Sequence, residues 1–445
     1  LENEILVHKV SEHEVRKAVK LSCTQAMLGS IYAASTGGMF LVGYALRLGA
    51  DNIKIGLLTT VPLSAVVFQL IAAFMVEKGL SRKKITFISQ TLNVLCWFSI
   101  ALTPWIFPGA SKSFRLTFLI VAIGIITAVG HLANNARGSW IGDLIPAAER
   151  GTFFGRMMMF GGIIGTVFAL AEGLFLDTVK KAGIASFSWL FLFGIAFGLI
   201  NAVLFLPQAD IKIEEQEEGT GFMLMFRQAM SNKALLIVSA FAVVFSLQAI
   251  AGPFYPTYML RDLHMPFIGV GIVNACVSLV MLASSPFWGR MIDRFGCRPI
   301  LVVCSFMMAP SCLSWLFVNS AARCFAIIIP INLFQGFWVA GIAVGLSTLI
   351  YKVTPVKGRS VQLAIHSVIV ILMAAPMPTL GGYLPKLLSN FGFSTDLRIT
   401  FILVGIFQLA SAFVAMRIPE SGAGTPKQVL KEVGMRAMSL LPRKM

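Results

Sequence analysis

Long apolar stretches, broken by short connections that carry charge, Gly or Pro, run along the whole chain. Each reaches the length of roughly 20 residues that a helix needs to cross a hydrocarbon layer. They fall near 19–47, 53–77, 84–107, 115–141, 152–176, 184–206, 234–260, 266–289, 299–319, 323–350, 360–388 and 398–417. Several contain Gly or Pro, which membrane helices tolerate better than soluble ones. The longest polar stretch, Pro207 to Lys233, holds Glu214, Glu215, Glu217 and Glu218 and reads as a solvated linker. The pattern predicts an all-α polytopic membrane protein of twelve transmembrane helices. A six-helix bundle occupies 1–206, a linker 207–233, a second six-helix bundle 234–418, and a basic tail 419–445.

Composition excludes most alternatives. The 445 residues are 57% hydrophobic and 13% charged, with a mean hydropathy of +0.82, whereas soluble domains carry about 25% charged residues. The charged stretch Glu2 to Lys20 shows no signal-peptide pattern. Seven cysteines sit mostly in apolar runs without metal-ligand spacing and read as reduced thiols. Arg82, Lys83, Lys84, Arg290, Arg294, Arg298, Lys357, Arg359 and the tail fall on one side of the predicted membrane. The positive-inside rule then puts both termini in the cytoplasm of a cell (inner) membrane protein. The net charge of +16 is explained by anionic headgroups on that face, with no nucleic-acid partner. Ile5–Lys20 and Pro426–Leu441 alternate basic and apolar residues, as interfacial helices do; mobile tails are the alternative.

An internal repeat adds weight to the hydropathy. Pro146 and Arg150 after the fourth span recur as Pro355 and Arg359 after the tenth, and Pro207 after the sixth recurs as Pro419 after the twelfth. Between the eighth and ninth spans lies Gly289-Arg290-Met291-Ile292-Asp293-Arg294-Phe295-Gly296-Cys297-Arg298-Pro299. This run resembles the G-x-x-x-D-R-x-G-x-R loop of the major facilitator superfamily. The first-half copy, Glu77 to Lys84 with Arg82, is a weaker match. Twelve spans, a central linker and duplicated halves extend the resemblance over essentially the whole chain.

Gly289 would let two helices approach closely, and an acid at a helix end can face a neighbouring helix N-terminus and pair with an Arg. The resemblance implies that Asp293 meets the start of span eleven near Arg359, and Glu77 the start of span five near Arg150. With Arg82, Gly289, Arg294, Gly296 and Arg298, these residues form the candidate gating loops. The contacts would form when the transporter opens outward and break when it opens inward, as the halves rock about a midplane site.

Polar groups deep in a membrane are costly and mark candidate sites. Span four holds His131, Asn134, Asn135 and Arg137, with the first three on one helix face. Arg137 could bind a carboxylate or phosphate, pair internally, or snorkel. Gln25 and Tyr32 in span one, Gln248 and Tyr255 in span seven, Asn274 in span eight, and Asn332, Gln335 and Trp338 in span ten complete the substrate-binding candidates. The resemblance places spans one, four, seven and ten around the central cavity; interhelical hydrogen bonding is the alternative for any one residue. His131 and Glu172 are the candidates for ion coupling, and His366 reads as a packing histidine.

The leading function is secondary or facilitative transport of a small polar organic solute, sugar-like or an organic anion, by a monomer without cofactor, possibly coupled to protons or sodium. Efflux of amphipathic drug-like compounds is the alternative. Span five has Gly161, Gly162, Gly165 and Gly173 but lacks the Pro of the drug-antiporter motif. Pro419-Glu420-Ser421 resembles the sugar-porter motif after span twelve. A non-transporting solute sensor is a minor reading. An enzyme is disfavoured, since no nucleophile–base spacing, metal-ligand cluster or phosphate loop appears.

Overall fold

A helix in hydrocarbon turns its polar side chains inward, and the segment Arg82–Ala101 does so along its length. Arg82, Thr86, Ser89, Asn93 and Trp97 lie on its buried face at helical spacing, while Ile88, Leu92 and Leu95 are exposed. The computed structural model describes residues 12–77, 80–145, 150–179, 183–210, 227, 230–354, 359–390 and 397–439. Among them, eleven helices are long and apolar enough to cross a membrane. Arg82–Ala101, 20 residues long with three basic residues in its first turn, is the twelfth.

In chain order the helices are α1 (His13–Arg47), α2 (Asn52–Val76), α3 (Arg82–Ala101), α4 (Lys112–Leu144), α5 (Arg150–Thr178) and α6 (Ala185–Val203). Then follow α7 (Lys233–Asp262), α8 (Phe267–Phe295), α9 (Cys297–Phe317), α10 (Ala321–Val353), α11 (Gln362–Ser389) and α12 (Arg398–Ala415). A last helix, α13 (Pro426–Ser439), ends the described chain. The chain divides into two compact units, Leu1–Glu218 with Pro256–Ile272, and Gly219–Tyr255 with Val273–Met445. Within the first, α1 packs on α5 and α6, and α3 on α4 and α6. Within the second, α7 packs on α11 and α12, and α9 on α10 and α12. The sequence repeat is thus a repeat of helix pairing.

Breaks fall at Gly and Pro. The first span bends at Gly37 and Gly38, the second passes through a 3-10 turn after Pro62, and the seventh through a 3-10 turn and a π turn on either side of Pro253 and Pro256. Close packing of α5 depends on its glycines. A Cβ at Gly161 would lie 2.9 Å from Ser30 Oγ, and one at Gly173 would lie 3.1 Å from the backbone of Phe267 and Ile268. Asp177 at the end of α5 accepts from the N–H groups of both those residues, capping α8. All seven cysteines are free thiols.

The two repeated junctions close with opposite charge. In the first unit Lys83 Nζ donates to the Leu206 and Gln208 carbonyls beyond the end of α6, and Ser81 Oγ donates to Asp210. In the second, Glu420 accepts from the N–H groups of Cys297 and Arg298 at the start of α9 and pairs with Lys352 at 3.1 Å. Gly296 has φ 85°, a region that favours glycine, and a Cβ there would lie 3.1 Å from Glu420. Gly296, rather than Gly289, is the glycine this loop requires: a Cβ at Gly289 would meet nothing within 4 Å.

Of the two readings of the tail, the structure shows the helix and not a mobile segment. Beyond that expectation, α13 packs on α9, with Val429 fully buried in the core of the second unit. Glu432 takes Arg294 at 3.1 Å and Arg436 at 3.0 Å, and the Gly424 N–H donates to the Phe295 carbonyl. Arg294 therefore pairs with the tail, while Asp293 is exposed. At the other end, residues 12–20 continue directly into α1 and form no separate interfacial helix; residues 5–11 lie outside the described chain. The side chains of Glu77, Arg150 and Arg359, on which the other gating contacts were expected, also lie outside the described residues.

Burial by itself would raise the Glu420 carboxyl, but the Arg298 and Cys297 N–H groups and the Lys352 ammonium outweigh it and hold it below its ordinary 4.5. A depressed value contributes stability that is present above 4.5 and is lost as pH falls through the lower folded value. Glu420→Gln is expected to destabilise the purified protein at neutral pH by about 1–3 kcal/mol. In thermal melts the gap from wild type should close in acid; a gap that is independent of pH would refute the charged cap.

Candidate functional site

Polar side chains that cannot reach water must be satisfied by protein or by solute. Those of α1, α3, α4 and α6 meet around a cavity of about 580 Å³ inside the first unit. Its polar lining includes Gln25, Tyr32, Gln90, Asn93, Thr127, His131, Asn134, Arg137 and Asn201, with no acidic residue among the described residues. Of the residues singled out in the sequence, Gln25, Tyr32, His131, Asn134 and Arg137 line it.

Some of these groups are braced by protein. The Tyr32 hydroxyl donates to Asn93 Oδ1 at 2.8 Å, and Asn93 Nδ2 donates to the Ile126 carbonyl at 2.6 Å. Gln25 donates to the Asn201 carbonyl and accepts from Gln208 Nε2 at 2.8 Å. Gln69 Nε2, a donor only, lies 3.0 Å from His131 Nδ1, and His131 Nε2 lies 3.4 Å from the Pro62 carbonyl. With the Gln69 amide in this orientation, Nδ1 is the acceptor and Nε2 the donor.

Others are open. Arg137 is half-buried, its guanidinium 5.5 Å above the Phe205 ring, with no acidic partner among the described residues. Three residues earlier on the same helix face, Asn134 is exposed and lines the cavity, and Gln90 of α3 is a half-buried part of the same lining. The Asn135 side chain lies outside the described residues.

Glu172 lies elsewhere on α5. It is 5% exposed and accepts a hydrogen bond from Ser35 of α1, and its second carboxyl oxygen has no hydrogen-bond partner. His366 meets Ser239 Oγ at 2.8 Å in the second unit, the packing role expected of it.

The remaining candidates belong to the second unit. Gln248 accepts from Gln408 at 3.2 Å, and Tyr255 stacks on Phe401 with ring centroids 4.4 Å apart. Asn332 is buried and donates to the Val273 carbonyl, and Trp338 is buried among Trp288, Phe334 and Phe337. Asn274 is exposed and Gln335 half-buried. Gln90 and Asn93 were not singled out in the sequence; two amides three residues apart in the middle of an apolar span were the available signal.

With the fold and cavity defined, comparison with known proteins places the chain. The model of the Major Facilitator Superfamily matches residues 23–251 and 237–441. The chain belongs to that superfamily, and it is a multi-pass membrane transporter by family and fold. The inward-open xylose transporter XylE from E. coli is similar over 94% of this chain and 99% of its own, with a TM-score of 0.67 and 13% identity. The nucleoside transporter NupG is similar over 91% and 98%, with a TM-score of 0.61 and 14% identity. Multidrug resistance protein 1 of Bacillus subtilis (strain 168) is 26% identical over 171 residues, 38% of this chain and 41% of that protein. The match thus spans about two fifths of that curated relative's length.

Asn93→Ala removes both hydrogen bonds that tie α3 to α1 and α4. The expected loss is about 1–2 kcal/mol of stability, read as a lower melting midpoint in detergent. An unchanged midpoint would mean that the Tyr32–Asn93–Ile126 chain does not brace the cavity.

Proposed function

We propose that the protein is a monomeric secondary transporter that moves a small polar organic solute across the cytoplasmic membrane by alternating access, with both termini inside. The observation that carries this reading is the 580 Å³ cavity, lined by amides, a phenol, an imidazole and a guanidinium. A structural packing role does not account for Gln90, Asn134 and Arg137, which have no polar partner among the described residues. The duplicated loops containing Arg82 and Arg298 supply the gates, and the excess of basic residues on their side supports the orientation. The nucleoside transporter NupG and the xylose transporter XylE share the fold.

Efflux of amphipathic compounds is the second reading, favoured by the match to Multidrug resistance protein 1. Among the described residues the cavity has no acid that would hold a lipophilic cation, which favours the first reading.

Glu172 is the group we assign to proton coupling. It is buried in a span, hydrogen-bonded by Ser35, and has no cation within ion-pair distance among the described residues. His131 is the weaker candidate, because charging it would require the Gln69 amide to turn. In proteoliposomes, an imposed proton gradient is expected to drive accumulation in wild type. Glu172→Gln should abolish that accumulation and leave counterflow intact. Accumulation that ignores the gradient, or that survives the substitution, would remove Glu172 from the mechanism.

A further inference from the structure

Charge and hydrogen-bonding capacity are unevenly spread around the cavity, and the unevenness carries information about the solute. Gln25, Tyr32, Asn93 and His131 spend their polar atoms on one another, on Gln69 and Gln208, or on backbone carbonyls. Arg137, Asn134 and Gln90 do not: each lines the cavity, and none has a polar partner among the described residues. Arg137 stands one residue before the end of the apolar stretch Lys112–Gly138, and a half-buried guanidinium there without a carboxylate among the described residues is left to find an anion. Phe205 stacks beneath it but supplies no hydrogen-bond acceptor. No acid stands among the described lining residues, where Arg137 supplies the fixed positive charge.

We infer that the solute is a small hydroxylated carboxylate whose carboxyl group pairs with Arg137 and whose hydroxyls are read by Asn134 and Gln90. This inference rests on the transport function proposed above and names its substrate class. The guanidinium presents a planar fork of donors that matches a carboxylate in two parallel hydrogen bonds. Asn134, three residues before Arg137 on the same helix face, and Gln90 across the cavity each offer a donor and an acceptor, as a hydroxyl needs. A lipophilic cation would meet Arg137 as a like charge. A neutral sugar would leave the guanidinium without an anion.

Thermal-shift titrations of the purified full chain test the inference with matched pairs: gluconate against glucose, glycerate against glycerol, and glucose 6-phosphate and tetraphenylphosphonium as further probes. At least one carboxylate should bind saturably and at least about tenfold tighter than its neutral partner. Arg137→Gln should weaken that carboxylate by about ten- to a hundredfold and leave the neutral partner unchanged, with Arg137→Lys between the two. Neutral members that bind as tightly as their acids, a preference for glucose 6-phosphate or tetraphenylphosphonium, or no carboxylate binding would each overturn it. The matched pairs use the wild-type protein, so they decide the question even if Arg137→Gln fails to fold. Counterflow separates the two levels. A neutral solute that binds and exchanges removes the carboxylate and keeps transport. A carboxylate that binds through Arg137 without exchanging keeps the site and removes transport.

Discussion

A polar group inside a hydrocarbon layer has no water to turn to, and nearly every feature of this protein follows from that constraint. Backbone amides are satisfied by helices. Where Gly37, Pro62, Pro253 and Pro256 interrupt the helices, turns of other pitch and neighbouring side chains take up the freed groups, as the His131 ring does beside the Pro62 carbonyl. Side chains obey the same rule: α3 turns Ser89 and Asn93 inward and gives Ile88, Leu92 and Leu95 to the lipid. The cavity is where the rule is left incomplete, because Arg137, Asn134 and Gln90 keep polar atoms that the protein does not engage.

The repeated halves solve one problem by opposite means. At each junction a third helix begins beside the end of a sixth, so unpaired N–H groups and unpaired carbonyls lie close together. Lys83 answers the carbonyls in the first unit, and Glu420 answers the N–H groups in the second. The second junction is also extended by α13, whose Glu432 takes the loop residue Arg294. The signature loop of that half is therefore tied to the tail.

Much of this was legible in the sequence because hydropathy and repetition are local properties. The spans and the matched Pro and Arg landmarks needed no coordinates, and the polar positions of span four pointed to the cavity; most of the linker, 211–226, lies outside the described residues. Gln90 and Asn93 went unnoticed because an amide in an apolar span shows what it lines only once its helix face is known. Trp338 and Asn332 looked equivalent to Asn134 on the page. Only packing separates two residues committed to neighbours from one that faces open space.

The sequence by itself determined the class of fold, the twofold repetition and the sites where chain breaks fall, since each depends on the composition of a contiguous stretch. Tertiary structure decided which polar atoms are occupied, that Gly296 rather than Gly289 is required, and that Arg294 pairs with the tail. Those outcomes depend on contacts between residues far apart in the chain: Tyr32 with Asn93, Gln25 with Gln208, Arg294 with Glu432. A hydrogen bond between distant segments leaves no mark on the local pattern, because either partner alone is only a polar residue in an apolar run.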